Sequence, residues 1–257
     1  MGHPELAYDD AGAGPAVVLI HGHPFNRSMW APQVAALRGA YRVIVPDLRG
    51  FGDSPVTPGT VTMRELAGDV TRLLDRTGVG PAAIAGLSMG GLVAMELAAA
   101  HPGRWWALAL VATTAQPVTE AEQADRRARA DLAERAGMAP IAAAMNERLY
   151  GSDPDPAVVA SVTAMMLATS PAGAAAAFRG RALRPDYRPL LKGLDIPALV
   201  CVGDRDTWSD AAVTDELVAS LRRPRRLVLA GAGHLPNLER PDRFNAELAS
   251  FLDAARP

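Results

Sequence analysis

Ile84-Ala85-Gly86-Leu87-Ser88-Met89-Gly90-Gly91-Leu92 decides how this chain folds. An apolar, strand-like run over 82–85 passes through G-x-S-x-G into a helical pattern over 90–100. A turn that sharp forces its serine into a strained backbone conformation and leaves the hydroxyl exposed. Small residues at Gly86 and Gly90 let the neighbouring backbone close in without a clash. The helix that follows points its positive N-terminal end at any oxyanion forming beside the serine. Taken alone, the pentapeptide also suits an ordinary glycine turn. Between a strand and a helix it reads as a nucleophile elbow carrying Ser88.

Working outward, the runs 16–20, 42–45, 82–85, 107–111, 198–202 and 226–229 read as strands, and 5–10 supplies one more. Several are apolar almost throughout, as expected of parallel strands covered on both faces. Between them lie helical patterns. In 63–77, Leu66, Val70, Leu73 and Leu74 recur at helical spacing, and Gly78 is suited to end the helix. The alternation predicts a mostly parallel, doubly wound α/β sheet with seven clear strands. It breaks between Thr114 and Pro189, where only helical patterns occur, over 120–136, 140–150, 156–168 and 172–183. Residues 1–114 and 189–257 are therefore expected to form the core. Residues 115–188 are expected to form a helical cap over the sheet's C-terminal edge, where open α/β sheets bind ligands. The mixed charges of Asp125, Arg126, Arg127, Arg129, Asp131, Glu134 and Arg135 read as a solvated helix face.

A serine nucleophile needs a base, and the base needs an acid to orient it. In this kind of fold the chain order is serine, acid, histidine. Gly203-Asp204-Arg205-Asp206 follows the strand ending at Val202, and Gly231-Ala232-Gly233-His234 follows the strand ending at Leu229. Of the five histidines, only His234 lies beyond the last strand. Asp204, Asp206 and Asp210 compete for the acid role. Asp206 is chosen because it stands clear of the strand end, whereas Asp204 is placed to cap the turn. His101 reads as a structural helix-end residue and His3 as a terminal surface residue.

With Val18-Leu19-Ile20-His21-Gly22-His23-Pro24-Phe25 and Asp47-Leu48-Arg49-Gly50-Phe51-Gly52-Asp53-Ser54 added, the chain resembles the α/β-hydrolase superfamily over about residues 8 to 252. HGHP is similar to its oxyanion loop, and DLRGFGDS to its D-x-R-G-x-G-x-S loop. GLSMGG, GDRD and GAGH resemble its elbow, acid turn and histidine turn. The resemblance implies an oxyanion hole made by the backbone amides of His23 and Met89, and His21, Asp47 and Arg49 as loop-shaping residues. It implies a carboxylesterase or lactonase that uses Ser88, Asp206 and His234. Carbon–carbon bond hydrolases, lyases and perhydrolases would use the same triad, and a ligand-binding, non-enzymatic member is the other class of reading. Serine at the elbow argues against the dehalogenase and epoxide hydrolase branches, which carry aspartate there. Relatives usually begin with an antiparallel hairpin, of which only one strand is evident here.

Phe25, Met145, Met166 and Trp208 are the expected substrate-lining residues. No cluster of arginine or lysine stands out as a clamp for phosphate or coenzyme A, so a small, mostly apolar ester or lactone is expected. Composition fits one large α/β domain: 257 residues, 49% hydrophobic and 21% charged. Disordered, collagenous and coiled-coil classes are excluded. With 26 basic and 28 acidic residues, net charge is −2 and gives no reason to expect a nucleic-acid or membrane partner. The single cysteine, Cys201, rules out an internal disulfide and paired-cysteine zinc spacings. No metal or cofactor is expected. The N-terminus lacks a basic-then-apolar leader pattern, so a cytoplasmic location is expected.

Overall fold

Every strand from 16 to 229 finds a parallel neighbour, which is what their apolar runs require. The computed structural model describes residues 4–257; the reading of His3 as a terminal surface residue lies outside them. The strands are β1 (Tyr8–Ala11), β2 (Ala16–Ile20), β3 (Arg42–Pro46), β4 (Ala82–Leu87), β5 (Trp105–Val111), β6 (Pro197–Gly203) and β7 (Arg223–Leu229). They form one seven-stranded sheet in the order β1-β3-β2-β4-β5-β6-β7. Only β1 runs antiparallel, pairing Tyr8–Ala11 with Val43–Pro46 of β3. The strand period of two divides the core between the two faces. Val17 and Leu19 of β2, with Ala83, Ala85 and Leu87 of β4, belong to one apolar cluster. Val18, Ile20, Ala82 and Ile84 belong to the other.

The helices are α1 (Ala31–Leu37), α2 (Met63–Arg76), α3 (Met89–Ala100), α4 (Glu120–Ala136), α5 (Ala139–Leu149), α6 (Pro156–Ala168), α7 (Pro171–Arg181), α8 (Arg188–Gly193), α9 (Ala211–Ala219), α10 (Pro236–Glu239) and α11 (Pro241–Ala255). Both α2 and α4 begin with a capping box. Thr62 and Glu65 exchange side-chain bonds to backbone N–H groups, as do Thr119 and Glu122. Five helices, α4 to α8, fill the long connection between β5 and β6, with α4 packed along α7. Gly173 of α7 faces Gly50, and Gly180 faces the Val61 carbonyl; a Cβ at either position would collide with that backbone. No single helix among the described residues is long and apolar enough to cross a membrane.

Several element ends differ from the sequence reading. β4 runs on to Leu87, because Gly86 stays in the ladder opposite Ile20 and Leu110 rather than turning out of it. β7 starts at Arg223. Its arginines and Pro224 look unlike a strand, yet it is the sheet's outer strand and largely exposed, where charge and proline are tolerated. β1 covers 8–11 rather than 5–10, set by its pairing with β3. The last alanine-rich helix begins at Pro171, since proline fits the first helical position.

Candidate active site

Ser88 sits between β4 and α3 with φ 53° and ψ −113°, a left-handed conformation that costs a non-glycine residue roughly 1–3 kcal/mol. Its neighbours hold it there. The Ser88 amide donates to the Val111 carbonyl at 2.8 Å, and the Thr113 hydroxyl donates to the Ser88 carbonyl at 2.8 Å. A Cβ on Gly86 would strike the Gly90 carbonyl, and one on Gly90 would strike the Ile20 carbonyl. Both glycines are thus required by close backbone approach. Ser88 keeps partial exposure, although the residues on either side of it are buried.

The turns after β6 and β7 meet beside it. His234 Nδ1 lies 2.9 Å from Asp206 Oδ2. Asp206 Oδ1 accepts from the Trp208 and Ser209 amides at 2.9 and 3.2 Å. Burial pushes the Asp206 carboxyl up, but the His234 charge and hydrogen bond and the two amides outweigh it, leaving its pKa below the usual range. Asp204 accepts from the Gly231 amide at 2.7 Å and so ties the two turns together. Asp210 caps α9 through the Val213 amide. Of the three carboxylates that compete in the sequence, Asp206 alone meets the histidine. The His234 amide donates to the Leu149 carbonyl at 2.7 Å, fixing its turn to the end of α5. Ser88 and His234 line the same cavity, with no hydrogen bond between the hydroxyl and the imidazole.

The loop after β2 is held by its own histidines and by Asp47. His21 Nδ1 bonds the Gly22 carbonyl at 2.8 Å, so that nitrogen carries the proton, and Nε2 accepts from the Leu48 amide at 2.9 Å. Asp47 accepts from the amides of Arg27 and Asp53 at 2.7 and 2.9 Å and pairs with the Arg27 guanidinium. Arg49 grips Asp69 with two bonds of 2.7 Å. His23 Nε2 bonds the Ala174 carbonyl of α7 at 3.1 Å, leaving Nδ1 buried without a partner. Burial and then the nearby Arg181 charge drive the His23 pKa well below its usual value, so the ring is neutral. Neither the His23 amide nor the Met89 amide donates to a backbone carbonyl.

The cavity has a volume of about 280 Å³. One wall holds Ser88, His234, His23, Met145, Phe178 and Trp208. Trp208 stands edge-on to His234 with ring centroids 4.7 Å apart, and Arg148 lies 5.1 Å over the Trp208 ring. Of the four residues expected to line a substrate site, Met145 and Trp208 lie on this cavity and Phe25 and Met166 do not. Phe25 is 1% exposed, in a turn whose amide bonds back to Gly22, and packs into the core. Met166 is fully buried on the inner side of α6. Neither lines the cavity.

The other wall corrects a larger expectation. Arg126 and Arg129 of α4, with Arg181 and Arg184 at and beyond the end of α7, line the cavity together with Glu122 and Asp125. The charges of α4 are thus not all solvated, and the wall is not apolar. A signal was present: 122, 126, 129 and 133 fall on one helical face, and Ala130 and Ala133 on that side are buried against α7. No group of three or more histidine, cysteine or carboxylate side chains among the described residues could hold a metal ion.

A family model described as alpha/beta hydrolase fold matches residues 15–241. The chain is 33% identical to 3-oxoadipate enol-lactonase 1 of Acinetobacter baylyi, over 93% of this chain and 88% of that protein. Among solved structures, a thermophilic esterase from Thermogutta terrifontis, with malate bound, superposes with a TM-score of 0.96 at 38% identity, covering 99% of this chain and 95% of the other. An enol-lactonase from Burkholderia xenovorans LB400 gives 0.91 at 34% identity, covering 97% of each.

Proposed function

This chain belongs to the alpha/beta hydrolase fold family, and we propose that it hydrolyses a small carboxylic ester or lactone through an acyl-enzyme on Ser88. His234 takes the Ser88 proton as the hydroxyl oxygen attacks the carbonyl carbon. The tetrahedral oxyanion is held by the amides of His23 and Met89, at the positive end of α3. His234 then protonates the leaving alkoxide, and in the second half activates water to release the acid. Asp206 keeps the proton on Nδ1 and stabilises the imidazolium. The helices of 115–188 act as a cap that shapes the cavity. Enol-lactonase and esterase relatives support cleavage at an ester or lactone carbonyl.

The observation that carries this proposal is the 2.9 Å pair of Asp206 and His234 on a cavity that also holds a serine in a strained strand-to-helix turn. The missing Ser88–His234 bond is compatible with it, since such bonds are often long without substrate and tighten once it binds. Initial rates on 4-nitrophenyl acetate and butyrate, wild type beside Ser88→Ala, provide the test. A loss of about 10⁴-fold or more is expected in the variant. Equal rates in both proteins would overturn the proposal.

A further inference from the structure

The cavity wall built by α4 and α7 holds more positive charge than it can satisfy. Arg129 pairs with Asp125 at 2.8 Å. Glu122 is shared between Arg126 at 3.3 Å and Arg184 at 3.7 Å. Arg181 makes no ion pair with any carboxylate of the described residues, and its Nε, like Nη1 of Arg126, is shut off from solvent without a hydrogen-bond partner. The contrast with Arg179, two residues earlier on the same helix, is informative. Arg179 meets Glu134 at 2.7 Å and Asp131 at 3.1 Å, both from α4. Carboxylates are therefore matched to Arg179 on the outer face of this helix pair, while at the cavity Glu122 and Asp125 serve Arg126, Arg184 and Arg129 and leave Arg181 without one. Burial and the charges of Arg126, Arg184 and Arg129 push the Arg181 pKa down to about 9, which still leaves it cationic at neutral pH. A desolvated, unpaired guanidinium lowers stability unless something negative fills the space, and its flat fork matches a carboxylate.

We infer that the substrate carries a carboxylate, held by Arg181 and the free donor of Arg126 against the α4–α7 wall, while its ester or lactone carbonyl lies at Ser88. This rests on the proposed hydrolysis and names its substrate class: a short-chain hemiester, or a lactone bearing an acid group. One unpaired cation matches one negative charge better than a phosphate dianion. Arg126 and Arg184, tethered to Glu122, set the field around it. The cavity volume limits the substrate to a few carbons on either side of the scissile bond.

The test compares monomethyl glutarate and monomethyl adipate with methyl pentanoate, in wild type, Arg181→Gln and Arg181→Lys. Wild type is expected to prefer a hemiester. In Arg181→Gln the ratio of kcat/KM for hemiester over neutral ester falls about 10- to 100-fold, mostly through KM, the scale of one charged hydrogen bond. Arg181→Lys restores part of the ratio. The thermal midpoint of Arg181→Gln does not fall, because an uncompensated charge has been removed. An unchanged ratio, or a wild-type preference for the neutral ester, would overturn the inference. Calorimetry of glutarate and of inorganic phosphate with Ser88→Ala separates this outcome from failure of the hydrolysis itself. Glutarate binding that is lost on adding Arg181→Gln supports the carboxylate site even if no ester is cleaved. No glutarate binding, or tighter binding of phosphate, contradicts it.

Discussion

An imidazole serves as a base only when one nitrogen is committed and the other is left for the substrate's proton. His234 meets that condition, since its Nδ1 is held by Asp206. His21 does not, because the Gly22 carbonyl and the Leu48 amide occupy both of its nitrogens. Replacing Asp206 with asparagine should therefore lower kcat by about 10²- to 10⁴-fold with KM little changed, read from saturation kinetics. The depressed pKa of Asp206 keeps it ionised above about pH 4, so its contribution to stability is constant there and is lost only as pH falls through that lower value. His23 carries the opposite sensitivity. Its pKa in the folded chain is well below the unfolded value of 6.5, so as pH falls past 6.5 the unfolded chain takes up the proton first and unfolding is favoured. His21 is lowered as well, by burial, and adds to the same trend. The unfolding free energy from urea titrations should drop between pH 7 and pH 5, by at most about 1.4 kcal/mol per pH unit for each histidine. His23→Gln should flatten that slope; an unchanged slope would remove His23 from the explanation.

At the scale of elements, the helical insertion is fastened to the core by close backbone contacts as well as by side chains. Gly173 meets Gly50 of the D-x-R-G-x-G-x-S loop, and the next residue, Ala174, offers its carbonyl to His23. Gly173→Ala should push α7 away from that loop and lower stability by about 1–3 kcal/mol, measured by denaturant unfolding. Activity should fall with it, since His23 would lose its anchor. The α4 capping box is an independent case. Thr119→Ala should cost about 1 kcal/mol and loosen the helix that presents Arg126 and Arg129, seen as faster amide exchange in α4. The strands of the sheet were readable because short, nearly continuous apolar runs are a local signal. The ends of β4 and β7 were less so. A ladder partner kept Gly86 extended, and an outer position let an arginine-rich run pair as a strand.

Across the whole molecule, the candidate site joins four loops at the C-terminal edge of the sheet: those after β2, β4, β6 and β7. Three of them carry short motifs that single out Ser88, Asp206 and His234 as candidates in the sequence, because glycine-flanked turns after strands are local signals. In the sequence, position relative to the strand end favours Asp206 over Asp204 but does not dispose of Asp210; the hydrogen bonds give the other two separate tasks. The cavity's charge was not readable in this way. Arg126 and Arg181 lie far apart in the chain and meet only because α4 packs on α7, whose run of alanines and glycines permits close approach. Phe25 and Met166 misled for a related reason: an apolar residue near a site does not reveal whether it faces the cavity or the core. The most direct measurement is peptide mass mapping of wild type and Ser88→Ala, acid-quenched during turnover of 4-nitrophenyl acetate. The account predicts an acetyl group on the peptide containing Ser88 in wild type and none in the variant. Wild-type turnover with no acyl group on Ser88, or an acetylated residue elsewhere with activity kept in Ser88→Ala, would contradict it.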